Sequence, residues 1–124
     1  MIDYFQRILK IGDYSPERLG GAERSSQWPR VRKEHLRKHP FCAVTGDFRD
    51  IEVHHCIPFN ENPALELDPD NLITLRRDIH LLVGHLNSFR SYNVDVKADA
   101  RALEEKVRNR PWHLSTSRQQ QDSS

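Results

Sequence analysis

The chain has 124 residues, a formal net charge of +1, 36% hydrophobic residues and 30% charged ones. That length allows one small domain with a thin core, which a metal ion or a partner would help to hold. Near-neutral charge gives no global case for nucleic acid, two cysteines make no disulfide framework, and the absence of a signal-like or long apolar run points to a cytoplasmic protein without membrane attachment.

Residues 1–25 read as an arm. Positions 5–10 are weakly amphipathic, and D-Y-S-P and L-G-G then interrupt the pattern. Ser26 opens a better helix, S-Q-W-P-R-V-R-K-E-H-L-R-K-H, with a Ser cap and Pro29 in the first turn. Trp28, Val31 and Leu36 form a sparse apolar stripe. Arg30, Arg32, Lys33, Arg37 and Lys38 carry positive charge around it, with Glu34 the one acid among them. In isolation such a helix is a solvated surface. Beside a phosphate-handling site the same charges would neutralise phosphates.

His39-Pro40 ends that helix. Positions 41–46 read as a turn between short strands. Ile51, Val53 and Ile57 then alternate with Glu52, His54 and Pro58, which is strand periodicity. Positions 60–70 form a polar loop in which Glu61, Glu66, Asp68 and Asp70 read as solvated turn residues. Positions 72–75 are a second strand. Asp78 can cap a helix over 79–89, weakened by Gly84. A last helix over 97–108, capped by Asp95 or Asp99, stops before Pro111. Trp112 is expected to fold back, and the Ser- and Gln-rich tail 115–124 to be disordered.

The chemistry gathers between positions 51 and 85. His54 and His55 are strand neighbours and would point to opposite faces. They could serve one site only if the strand ends or bulges there, which Pro58 permits. One imidazole could then bind a divalent metal while the other takes a proton from water. His80, in the first turn of the next helix, could reach the same metal, and the Asn71 amide could fix loop geometry through backbone groups. Singly, these are a surface histidine pair, a turn asparagine and a helix-start polar residue. Together they suggest metal-assisted phosphodiester hydrolysis. His85 follows His80 by five residues, about 140° off the same α-helical face. That argues against a metal role unless the helix distorts at Gly84. His35, His39 and His113 read as surface residues.

The segments V-H-H-C-I-P, D-P-D-N-L-I-T-L and D-I-H, with nine residues from Asn71 to His80, resemble HNH endonucleases of the ββα-metal (His-Me finger) class. The basic helix before F-C-A-V-T-G, and G-H-L-N-S-F-R-S-Y-N, are similar to small phage or bacterial members. The resemblance spans roughly residues 28–93. It implies an α+β fold with a ββα-metal core and flanking helices, a nuclease domain over 26–114, and DNA cleavage with Mg²⁺, Mn²⁺, Ni²⁺ or Zn²⁺. It makes His54 and His80 metal ligands, His55 the general base and Asn71 the residue that orients either the base or the site loop. His85 stays open as a hydrogen-bonding residue beside the ligands, a phosphate-contacting residue or a packed core residue. Arg30, Arg32, Lys33, Arg37, Lys38, Arg76, Arg77 and Arg90 become phosphate contacts. DNA is the implied partner, with phage packaging or restriction proteins as further ones.

One departure stands out. Many members hold a structural zinc with two C-x-x-C pairs. Here the corresponding segments are Cys42-Ala-Val-Thr45 and Arg76-Arg-Asp-Ile79, so one thiol of four is left. A tetrahedral site needs four ligands, so no structural zinc is expected. Cys42 and Cys56 should instead be buried as small apolar residues. Two alternatives to the enzyme stay open: an inactive HNH-fold module for DNA binding or assembly, and a structural protein whose histidines hold a stabilising metal.

Overall fold

The computed structural model describes residues 23–111. The expectations for the arm before residue 23, for Trp112 and His113, and for the tail lie outside the described residues.

Helix α1 (Trp28–Lys38) begins with Pro29 in its first turn, but Ser26 is not its cap. The N-cap is Gln27, which makes no side-chain cap bond. Ser25 Oγ instead accepts from the Gln27 backbone N–H at 3.1 Å. This local Ser turn sets the chain's entry into the helix in place of a side-chain cap. Arg37 and Lys38 occupy the last turn, where positive charge suits the exposed carbonyls.

The turn after α1 closes through Gly46 N–H to the Cys42 carbonyl at 2.9 Å. Gly46 sits at φ +77, a conformation that needs no Cβ. Among the described residues no strand precedes this turn. The sheet has two antiparallel strands, β1 (Ile51–His55) and β2 (Leu72–Arg76), with Ile51 opposite Arg76 and His55 opposite Leu72. The molecule is thus α+β, as expected at that level.

The loop between the strands is more ordered than its composition suggests. It contains two 3₁₀ turns, Pro63–Leu65 and Pro69–Asn71, started by Asn62 and Asp68 side chains that accept from the N–H groups of Ala64 and Asp70 at 3.1 and 2.9 Å. Glu66 is not the solvated residue expected: it is 3% exposed. The Ser25 N–H donates to its carboxylate at 2.9 Å, and the Arg24 guanidinium does so at 3.3 Å. A carboxylate so met can leave water.

After β2 the chain forms one α turn, α2 (Arg77–Ile79), and continues as a π turn, His80–Gly84. It therefore ends well before residue 89. Leu86 and Asn87, at φ 52 and 65, take the chain out of the helix. Asp78 does not serve as N-cap. Its carboxylate takes the Arg76 guanidinium at 2.6 and 2.9 Å.

Helix α3 (Val96–Arg108) starts without a side-chain bond from its N-cap, Asp95. Buried Asn93 organises that end instead. Its Oδ1 accepts from Asp95 N–H at 3.0 Å, and its Nδ2 donates to Asp99 Oδ2 at 2.7 Å and to the Val83 carbonyl at 3.0 Å. Val96 and Ala100 of α3 complete a core with Cys42, Val44, Cys56, Ile73, Leu75 and Val83. Both cysteines are buried there, as expected. His35 departs from expectation: only 9% of it is exposed. Among the described residues no helix is long and apolar enough to cross a membrane.

Candidate metal centre

Strand alternation sends Glu52 and His54 to one face of β1, and Val53 and His55 to the other. The ladder stays in register through His55 opposite Leu72. β1 therefore lacks the bulge that would have turned both histidines to one site.

His54 is 2% exposed and meets two histidines from the segment after β2. Its ring centroid lies 4.7 Å from that of His80 and 4.9 Å from that of His85. One nitrogen from each of the three rings lies within 4.8 Å of the others. His80 Nε2 and His85 Nε2 are 3.2 Å apart. Nitrogens sharing a tetrahedral zinc sit about 3.3 Å from each other, given metal–nitrogen bonds near 2.0–2.1 Å.

The π turn explains His85. In an α-helix five residues would carry it off the His80 face. A π turn closes on i→i+5 bonds, so residues five apart return to one side. The helix is thus distorted up to Gly84, the condition under which His85 can join His80. His85 Nδ1 lies 2.9 Å from the Ser91 carbonyl. A carbonyl only accepts, so Nδ1 carries the proton and Nε2 keeps its lone pair. Gly84 makes room alongside: a Cβ there would lie 3.1–3.2 Å from three ring atoms of His54.

The electrostatics favour neutral rings. Burial, with the neighbouring His80 and His85, pushes His54 down to about 2. Burial brings His85 to about 4, against the opposing Ser91 bond. His54 Nε2 is buried and has no hydrogen-bond partner among the described residues. An orphaned imidazole nitrogen beside two more is a donor set that fits a divalent cation.

His55 occupies the opposite face of β1. Its half-buried ring packs against Trp28, 4.4 Å between centroids. Nε2 is 2.9 Å from the Glu66 carbonyl, so Nε2–H donates and Nδ1 is the basic nitrogen. Burial lowers its pKa, the Glu66 carbonyl bond opposes that, and Arg24 adds to the lowering. Asn71, 6% exposed, accepts from Ile57 N–H at 2.8 Å and donates to the Ile57 and Leu65 carbonyls at 3.0 and 3.1 Å. It ties the chain leaving β1 to the loop that holds Glu66.

Sequence reasoning misses Glu52, which enters there only as a position alternating with the apolar ones of the strand. It is 4% exposed, with its carboxylate 3.7 Å from His80 Nδ1 and 3.8 Å from Arg77 Nε. Its position two before His54 is the signal that could have found it.

The cationic residues are spread out. Arg30, Lys33, Arg37 and Lys38 are exposed on α1, and Arg32 is half-buried. Arg37 and Lys38 pair with Glu34 at 2.7 and 3.7 Å. Arg76 bridges Asp47 and Asp78, while Arg77 and Arg90 are exposed. No protein-family model matches this chain, and searches of curated proteins and of solved structures find no match either.

Proposed function

We propose that this protein is a metal-dependent DNA endonuclease of the HNH, ββα-metal kind. The observation that carries the reading is the convergence of His54 from β1 with His80 and His85 from the turn after β2, next to a separately held His55. The hairpin followed by a helical turn has the order such a core requires.

In this reading His54, His80 and His85 hold one divalent cation. Three imidazoles favour Zn²⁺ or Ni²⁺ over Mg²⁺, which prefers oxygen ligands. The cation supplies positive charge to the scissile phosphate and the leaving oxygen. His55 stays neutral near pH 7 and accepts a proton from the attacking water at Nδ1. The Glu66 carbonyl fixes its tautomer, and Asn71 holds the loop that carries that carbonyl. Arg30, Arg32 and Lys33 on α1, with Arg77 and Arg90, bind backbone phosphates.

The burial of His54 and His80, at 2% and 4% exposure, favours one other reading. In it the metal stabilises a non-catalytic DNA-binding module. Plasmid nicking separates the two. After EDTA stripping, the wild type should nick supercoiled DNA with Zn²⁺, Ni²⁺, Mn²⁺ or Mg²⁺. His55→Ala should be slower by about 10²–10⁴-fold, the usual contribution of a positioned base, with metal binding intact. Failure of the wild type to cleave with any of these metals, with DNA binding retained, would establish the inactive module.

A further inference from the structure

We propose that Glu52 is a positioning residue for the metal centre. Its buried carboxylate holds His80 with Nδ1–H turned towards it, so that Nε2 of His80 faces His85 and the cation. The proposal rests on reading the histidine cluster as a metal site and does not depend on nuclease activity.

Three observations carry it. Glu52 shares the inner face of β1 with His54, and its carboxylate lies 3.7 Å from His80 Nδ1. Neither carboxylate oxygen has a hydrogen-bond partner among the described residues, although the side chain is buried. A carboxylate kept from water with only the longer contacts to His80 and Arg77 destabilises a fold, and a strand position opposite Leu75 would accept an apolar side chain. The third observation is the parallel with His85. Its Nδ1–H is taken by the Ser91 carbonyl, which turns its Nε2 to within 3.2 Å of His80 Nε2. With both Nδ1 atoms protonated, two lone pairs face each other across that gap. A cation between them removes the conflict, and the Glu52 charge offsets part of the charge the cation brings.

Outer carboxylates of this kind raise metal affinity by about 10–100-fold. The test compares wild type, Glu52→Leu and Glu52→Gln as full chains. Zn²⁺ affinity is measured by competition titration, metal-free stability by thermal melting, and the ligating nitrogen of His80 by NMR of the Zn²⁺-loaded protein. Glu52→Leu should bind Zn²⁺ about 10–100-fold more weakly, yet melt no lower than wild type without metal. Glu52→Gln should fall between them, because its amide oxygen still accepts while the charge is gone. In the loaded wild type, His80 should ligate through Nε2 and keep its Nδ1 proton.

Unchanged affinity in Glu52→Leu overturns the proposal alone. So does a fall in metal-free melting temperature that Glu52→Gln restores, since that marks a structural role. Should Glu52→Leu not fold, the wild-type NMR still decides, and ligation through Nδ1 of His80 overturns the assignment. A wild type that binds no Zn²⁺ overturns the metal-centre reading and this proposal with it.

Discussion

Gly84 shows how little space separates a usable site from a blocked one. It closes the π turn, and its missing side chain is where the His54 ring lies, with Cβ-to-ring distances of 3.1–3.2 Å. A methyl group there must displace the imidazole or the turn. Gly84→Ala should therefore destabilise the protein by about 1–3 kcal/mol, as overpacking does, and should weaken Zn²⁺ binding. Leu82→Ala, in the same turn but 57% exposed, should leave metal affinity unchanged. Thermal melts and Zn²⁺ titrations of both variants check this, and equal behaviour would show that the close approach is not limiting. His35 gives a residue-scale pH dependence independent of the metal. Burial, with His39 and Lys97 nearby, lowers it to about 4 from an ordinary 6.5. The folded state thus favours the neutral ring. Its contribution is complete above the unfolded value and is lost as pH falls from about 6.5 towards 4. Replacing His35 by Leu should flatten the fall in melting temperature between pH 7 and pH 5. A wild-type-like slope in that variant would remove His35 as the cause.

At the scale of elements, the π turn decides what the histidines can do. It takes more residues per circuit than an α-helix does, which brings His80 and His85 towards one side. Deleting the exposed Leu82 should return the segment to an α-helix, with the two histidines four apart and still on one face. Metal binding should survive that deletion. Inserting an alanine at the same place puts them six apart, about 120° from alignment, and should abolish it. Zn²⁺ titration distinguishes the outcomes, and binding by the insertion variant would sink the argument. The turn also marks a limit of sequence reading. Alternating Ile51, Val53 and Ile57 make β1 legible, and D-P-D-N before an apolar run locates Asn71 and β2. Nothing in H-L-L-V-G-H declares a π turn, because such a turn is a backbone compromise settled by packing. Glu66 and His35 mislead for a related reason. Their burial depends on Arg24 and Ser25, and on the inner face of α1, and no local pattern reports those tertiary neighbours.

At the scale of the molecule, the turn at Cys42 and the distribution of charge belong together. The turn at Cys42 keeps its tight form, with Thr45 N–H 3.5 Å from Cys42 Sγ. The Ala43 N–H donates to the Thr74 carbonyl of β2 at 2.9 Å, and an ionic link joins the turn to the strand's end: Arg76 pairs with Asp47 from the turn and with Asp78 from α2. Arg76 pulls both carboxyls below their ordinary range. A guanidinium committed in this way is a clip between elements, and only what it leaves over could meet DNA. Among the described residues, Arg30, Arg32 and Lys33 on α1 lack a carboxylate partner of that kind, whereas Arg37 and Lys38 share Glu34. If DNA lies along α1, replacing Arg30, Arg32 and Lys33 by Gln should weaken binding to all sequences alike. Each phosphate interaction removed should reduce the slope of log affinity against log salt by about 0.9. Arg76→Gln should instead lower the melting temperature and leave that slope nearly unchanged. Binding measured across a salt series, beside melting curves, separates a charge that meets phosphate from one that holds the fold. A slope insensitive to the triple replacement would place the DNA on another face.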